Sequence, residues 1–206
     1  MVDRIALFGG SFDPIHNGHL IIARAIAEQL GLDKVVFLPS ARPPHKSPDS
    51  LASPAHRASM VELAIEGDAL FEFSDFDLSR EGPSYTIDTV DHFRRELCEK
   101  ADLVWIIGAD SIEELPTWRE VDRLLDACRI VTAARASWEK TDWGALCQTL
   151  GEARVSALRA DIVRTPVIEI SSTEIRDRLR AGLPIRYLVP AEVRTYIEQH
   201  RLYRNS

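Results

Sequence analysis

Apolar residues recur along the chain with two different periods, and the alternation of those periods predicts its elements. The run Ile5 to Phe8, closed by Gly9-Gly10, reads as a buried parallel strand. Leu20, Ile21, Ala23, Ile26, Ala27 and Leu30 then repeat at helical spacing, and Gly31 stands where a C-cap belongs. Lys34 to Leu38 is a β-branched second strand.

Prolines at 39, 43, 44, 48 and 54 forbid regular structure, so 39 to 54 is expected to be a long surface loop. Ser53-Pro54 then supplies the N-cap and first position of a helix to Glu66, ended by Gly67. Residues 70 to 76 alternate apolar and polar, as a strand near a sheet edge does, and Tyr85-Thr86 opens a helix to about Lys100. Leu103 to Ile107 is the most apolar run and predicts a central strand, with Gly108-Ala109-Asp110 at its carboxyl end. A helix from Trp118 to Leu125, a strand from Arg129 to Thr132 and a helix from Asp142 to Leu150 follow, while 154 to 165 fits neither period. Val167 to Ile170 reads as a strand and Ser171-Ser172-Thr173-Glu174 as a capping box opening a helix through about Arg180, ended by Gly182 and Pro184. Pro190 starts a last amphipathic helix with Val193, Tyr196 and Ile197 on one face. Strands alternating with helices predict an α/β doubly wound parallel sheet, Rossmann-like, with right-handed crossovers, in a single domain spanning 1 to 206.

Composition narrows the class without changing this fold. With 45% hydrophobic and 28% charged residues, the chain has the makeup of a soluble globular protein. No apolar stretch is long enough for a membrane span or a signal-peptide core, so the expected location is cytoplasmic, with no membrane partner. Cys98, Cys128 and Cys147 are odd in number and share no close spacing, which predicts free thiols in a reducing compartment. The formal charge of −7 argues against nucleic acid as a partner, since that affinity rests on neutralising many phosphates. A small anion needs only local positive charge, and Arg42-Pro43-Pro44-His45-Lys46 and Arg176, Arg178 and Arg180 offer it in two places.

The chemistry concentrates in GGSFDPIHNGHL, residues 9 to 20. A glycine pair after a strand lets backbone amides approach an anion, and the next helix aims further amides and its positive dipole end at the same place. Gly9, Gly10, Ser11 and Phe12 are therefore candidates for a phosphate cradle. His16 and His19, three apart at the helix opening, share a face that points back toward the glycines, with Gly18 leaving room. The pair also fits a cap plus a surface residue, or half of a metal site, although no Cys or His cluster completes one. The string is neither a dinucleotide fingerprint nor a P-loop, since no Lys-Ser or Lys-Thr follows the glycines. ISSTEIR at 170 to 176 is a second candidate: its hydroxyls and helix-start amides can bind oxyanions, and Arg176 can add a bidentate fork. A well-capped helix with a solvated arginine explains the same residues.

Together the two strings resemble the H-x-G-H nucleotidylyltransferase superfamily, and the form GGSFDP-x-H-x-GH resembles bacterial nicotinate-mononucleotide adenylyltransferases. Other marks of that family follow in order: PPHK at 43 to 46, PSYTIDTV at 83 to 90, IGAD at 107 to 110, Trp118, and VP with YI near the C-terminus. The resemblance implies adenylyl transfer from ATP to nicotinate mononucleotide in NAD biosynthesis, by direct attack without a covalent intermediate. It implies His16, His19 and Arg176 as catalytic residues, Ser172 and Thr173 on the departing phosphates, and Gly108 and Asp110 near the adenosine. It further implies His45 and Lys46 near the acceptor phosphate, Tyr85 and Thr86 at the nicotinate carboxylate, and Trp118 stacked on the ring. Mg²⁺ is expected to arrive on the ATP phosphates with no protein cage.

The chain departs from the family after the strand at 129 to 132, where Ala134-Arg135-Ala136-Ser137 replaces the usual arginine, proline and glycine. Arg135 remains a candidate for a substrate phosphate. Three rivals stay open: the same chemistry on nicotinamide mononucleotide or phosphopantetheine, a nucleotide-binding regulator without turnover, and an aminoacyl-tRNA synthetase fragment. The last lacks a KMSKS-like loop. An oligomer is possible.

Overall fold

The structure, a computed structural model, describes residues 4–42, 51–97, 101–134 and 141–204. Six parallel strands form one sheet: β1 (Arg4–Gly10), β2 (Lys34–Pro39), β3 (Phe71–Phe73), β4 (Asp102–Gly108), β5 (Arg129–Ala134) and β6 (Ile162–Arg164). Their order is β3-β2-β1-β4-β5-β6. The chain builds outward from β1, crosses back, and builds outward again from β4. The order therefore reverses between β1 and β4, and at such a point the connections diverge and leave a crevice at the strands' carboxyl ends.

Both faces of the sheet are buried, which is why its central strands read as unbroken apolar runs. Successive side chains point to opposite faces. Ala6, Val35, Phe37, Val104 and Ile106 face one hydrophobic cluster. It is completed by α1 (Asn17–Leu30), α2 (Pro54–Ile65), α8 (Ser172–Arg180) and α9 (Ala191–Gln199). Leu7, Val36, Leu38, Trp105 and Ile107 face the other. Here the cover is α4 (Thr86–Glu96), α5 (Val121–Ala127), α6 (Trp143–Leu150) and α7 (Glu152–Ala160). The short helix α3 (Phe76–Ser79) follows the edge strand β3.

Caps fall where the residue types require them. Gly31 closes α1 with φ 62° and ψ 45°, a left-handed conformation that a side chain would disfavour. Ser53 accepts a hydrogen bond from the His56 amide at the start of α2, and Asp142 accepts one from the Ala145 amide at the start of α6.

Several predicted elements are corrected. Val167 to Ile170 belongs to no strand; the last sheet position is taken by β6, inside the stretch that fits neither period. Trp118 precedes α5 rather than opening it, because Glu120 adopts φ 51° and the helix begins at Val121. Trp118 instead closes a 3₁₀ turn, Leu115–Thr117, in extended conformation. Helix α4 ends at Glu96, short of Lys100, and residues 98–100, Cys98 among them, lie outside the described residues. Cys128 and Cys147 are free thiols. Among the described residues no helix is long and apolar enough to cross a membrane.

Candidate active site

A cavity of about 570 Å³ opens at the carboxyl ends of β1 and β4, where the strand order reverses. Gly9 and Gly10 line it, but as the last two residues of β1, paired in register with Leu38 and Pro39. The expectation that they follow the strand is corrected. What requires glycine at position 9 is the indole of Trp105 on β4: a Cβ there would sit 2.5 Å from its Cζ2. Gly9→Ala is therefore expected to displace Trp105 from the cavity wall and destabilise the fold by about 1–3 kcal/mol, measurable by denaturant unfolding with the indole as reporter.

The chain then turns through Ser11 and Phe12, where Phe12 is buried with φ 45°. His16, also buried, is the N-cap of α1, and His19 is one turn inside. Their rings stack 3.6 Å apart between centroids, and Gly18 leaves the space: a Cβ there would meet the His16 Nδ1 at 3.0 Å. The His16 backbone N–H donates to the His19 Nδ1 at 3.2 Å. An accepting Nδ1 puts the ring proton of His19 on Nε2, which makes that nitrogen a hydrogen-bond donor. The Phe12 ring packs edge-on against His19 at 5.0 Å and holds its plane.

Helix α8 is docked on the same loop. Ser171 caps it by accepting from the Glu174 amide at 3.1 Å, and the Ser172 hydroxyl donates to the Pro14 carbonyl at 2.9 Å. Ser172 and Thr173 line the cavity, so the first turn of α8 and the histidine pair share it. Arg176 does not line it. Its guanidinium lies behind Thr173, donating to the Thr173 hydroxyl at 3.2 Å and to the Asp13 carbonyl at 2.7 Å. Arg178 and Arg180 are engaged by the Pro184 carbonyl and Asp177, so of the three arginines only Arg176 is tied to the site.

At the end of β4, Gly108 and Asp110 both line the cavity. A Cβ on Gly108 would collide with the Asp110 carboxylate, so the glycine lets that side chain fold back over the strand end. Tyr85, the N-cap of α4, and Thr86, its first residue, also line the cavity, together with the half-buried Trp118. His45, Lys46 and Arg135 lie outside the described residues.

The comparisons with known proteins point the same way. The Cytidylyltransferase-like family matches residues 7–178. A protein of Thermomicrobium roseum named "Probable nicotinate-nucleotide adenylyltransferase" is 42% identical over 205 residues, covering 98% of this chain and 92% of that one. One of the same name from Thermoanaerobacter sp. is 40% identical over 206 residues, covering 98% and 95%. This chain belongs to the nicotinate-nucleotide adenylyltransferase family. Among solved structures, Plasmodium falciparum nicotinic acid mononucleotide adenylyltransferase complexed with NaAD has the same fold, with a TM-score of 0.77 at 21% identity over 98% of this chain and 97% of that one.

Two arginines of this family member escape sequence reasoning. Arg57 on α2 is 1% exposed. Its Nη1 donates to the carbonyls of Ser11 and Ser40, both at 2.8 Å, its Nε to Ala52 at 3.1 Å and its Nη2 to Ala41 at 3.3 Å. It thereby ties the turn after β1 to the segment after β2. Burial pushes its pKa down, and the nearby Asp13 carboxylate pushes it back up. Asp13 is itself fully buried and accepts from the Tyr203 hydroxyl at 2.6 Å and the Ala52 amide at 3.1 Å. Burial first, and then the Asp13 charge, holds the Tyr203 hydroxyl well above the usual phenol range, so it stays a donor. The spacing Arg57, Met60, Val61, Ile65 carries a signal for Arg57: an arginine standing in the apolar stripe of its helix. The other is Arg119, whose guanidinium carbon lies 4.7 Å from the centroid of the Tyr85 ring.

Proposed function

We propose that the protein transfers the adenylyl group of ATP to nicotinate mononucleotide, releasing pyrophosphate and forming nicotinate adenine dinucleotide. The observation that carries this reading is the meeting, on one cavity, of the stacked His16–His19 pair and the first turn of α8. The acceptor's 5′-phosphate is already an anionic nucleophile and needs no general base. One of its oxygens attacks the α-phosphorus in line, the new P–O bond forms as the bond to the β-phosphate bridging oxygen breaks, and the pair of electrons leaves with pyrophosphate. Catalysis is then positioning plus stabilisation of charge on the phosphoryl oxygens.

The geometry supports the following roles for the residues that meet at the cavity. The Nε2–H of His19 donates to the α-phosphate as its charge grows, and His16 holds the ring from the other side. The backbone of Gly9, Gly10, Ser11 and Phe12 lies alongside the phosphates. Ser172, Thr173 and the unpaired amides of α8 receive the β and γ phosphates. Arg176, immediately behind Thr173, adds its charge to that helix start and holds the Asp13 carbonyl, the turn on which the cradle rests. Asp110 accepts from ribose hydroxyls, while Tyr85, Thr86 and Trp118 enclose the pyridine ring. His45, Lys46 and Arg135 are assigned to the acceptor phosphates on sequence alone.

Mg²⁺ fits this cavity as a passenger on ATP. Among the described residues no group of three or more His, Cys, Asp or Glu could hold a metal, so the ATP phosphates and water would supply its ligands. When bound, it would neutralise phosphate charge and favour departure of pyrophosphate. We place the reaction in the cytoplasm, where Cys128 and Cys147 stay reduced.

Stereochemistry tests the direct transfer. With ATP carrying sulfur at the α-phosphorus in one configuration, a single in-line displacement is expected to invert that centre in the dinucleotide. Retention would mean two displacements through a covalent enzyme adenylate and would overturn the proposal.

A further inference from the structure

We infer that Arg119 reads the charge on the acceptor's ring and makes the enzyme favour an acidic acceptor over its neutral amide; this rests on the reaction proposed above. Among the described residues, Arg119 is the only lysine or arginine lining the cavity. Asp77, Asp110 and Glu114 line it too, so a carboxylate on the acceptor's ring is favoured where Arg119 offsets their charge. That place is defined. The guanidinium covers the Tyr85 ring, and Tyr85 is the N-cap of α4, an 11-residue helix whose first-turn amides carry partial positive charge. Trp118, the adjoining residue, lines the same wall. Two elements far apart in sequence thus bring positive charge to one spot beside an aromatic platform.

The arginine is held ready for a ligand. Its Nε forms an ion pair with the Glu120 carboxylate at 3.5 Å. No hydrogen bond from the described residues engages its Nη nitrogens, which present the two parallel N–H groups that a carboxylate matches. A carboxamide has one acceptor and turns its own N–H groups toward the donors. The acceptor's phosphate must lie at His19 on the wall built by α1 and α8. The part left to meet the wall built by α4 and Trp118 is the ring and its substituent.

The test is kcat/KM for nicotinate mononucleotide and nicotinamide mononucleotide, at saturating Mg·ATP, in wild type, Arg119→Ala and Arg119→Lys. In Arg119→Ala the acid-to-amide ratio is expected to fall about tenfold, the weight of one charge-assisted hydrogen bond at a half-exposed site, through a raised KM for the acid. Arg119→Lys, which keeps a cation, is expected to fall between. An unchanged ratio would overturn the inference. So would equal losses with both acceptors, which would put Arg119 on the phosphate they share. If wild type used neither acceptor, the reaction reading itself would fail, which is a different result from wild-type turnover with an unmoved ratio.

Discussion

His19→Ala is expected to lower kcat by about 100- to 1,000-fold, the usual effect of removing one preorganised donor from developing phosphoryl charge. The geometry makes the expectation specific to one nitrogen. Nδ1 of His19 accepts from the His16 backbone, so the donor is Nε2. A glutamine at this position can place its amide nitrogen near that donor, whereas an asparagine reaches only the Nδ1 position. His19→Gln should therefore keep several-fold more activity than His19→Asn or His19→Ala. Rapid-quench kinetics of the chemical step would show it, and equal activity in all three variants would contradict the assignment. Because His19 also packs edge-on against Phe12 and Phe8, unfolding of each variant must be measured alongside.

Arg57→Ala is expected to destabilise the protein by about 3–5 kcal/mol. The side chain donates to four carbonyls, those of Ser11, Ser40, Ala41 and Ala52, in a place from which water is excluded. Deleting it leaves those acceptors unpaired and removes a positive neighbour of the buried Asp13. At roughly 2–4 °C per kcal/mol for a domain of this size, the melting temperature should drop by about 10 °C. Arg57→Lys should recover only part of this, since one ammonium cannot reach carbonyls arranged around a planar fork. A drop below about 3 °C for Arg57→Ala would mean that the turn after β1 does not depend on this residue.

The chain shows how far period and residue type can be read. The runs at β1, β2 and β4 were legible because a strand buried on both faces has no polar register, and the glycines at 31, 67 and 182 all adopt positive φ at helix ends. Val167 to Ile170 shows the limit. A β-branched apolar run marks a buried segment, and this one is packed, with Ile168 against Gly18 and Ile170 on the core. Residue type cannot report which segment takes the edge of β5, and β6 takes it. Trp118 was misplaced for a local reason, the left-handed turn at Glu120, a residue type that gives no warning of it.

In the site, the histidine pair, Ser172, Thr173, Asp110, Tyr85, Thr86 and Trp118 are brought to one cavity as the sequence implies. Arg176 is not, because helical spacing fixes the face of α8 but not which neighbour captures a long side chain. Arg57 and Arg119 were missed for opposite reasons. Arg57 is a charge in an apolar stripe, which a search for hydrophobic periodicity passes over. Arg119 owes its importance to Tyr85, a contact between residues distant in the chain.

The central claim is that this cavity joins ATP to a pyridine mononucleotide. It is tested most directly by supplying Mg·ATP with nicotinate mononucleotide, nicotinamide mononucleotide or phosphopantetheine in turn, following pyrophosphate release and weighing the product. Rapid release with nicotinate mononucleotide, a product of the mass of nicotinate adenine dinucleotide, and loss of both in His19→Ala are the predicted results. Tight ATP binding with no pyrophosphate released for any acceptor would contradict the account and leave a nucleotide-binding protein without turnover.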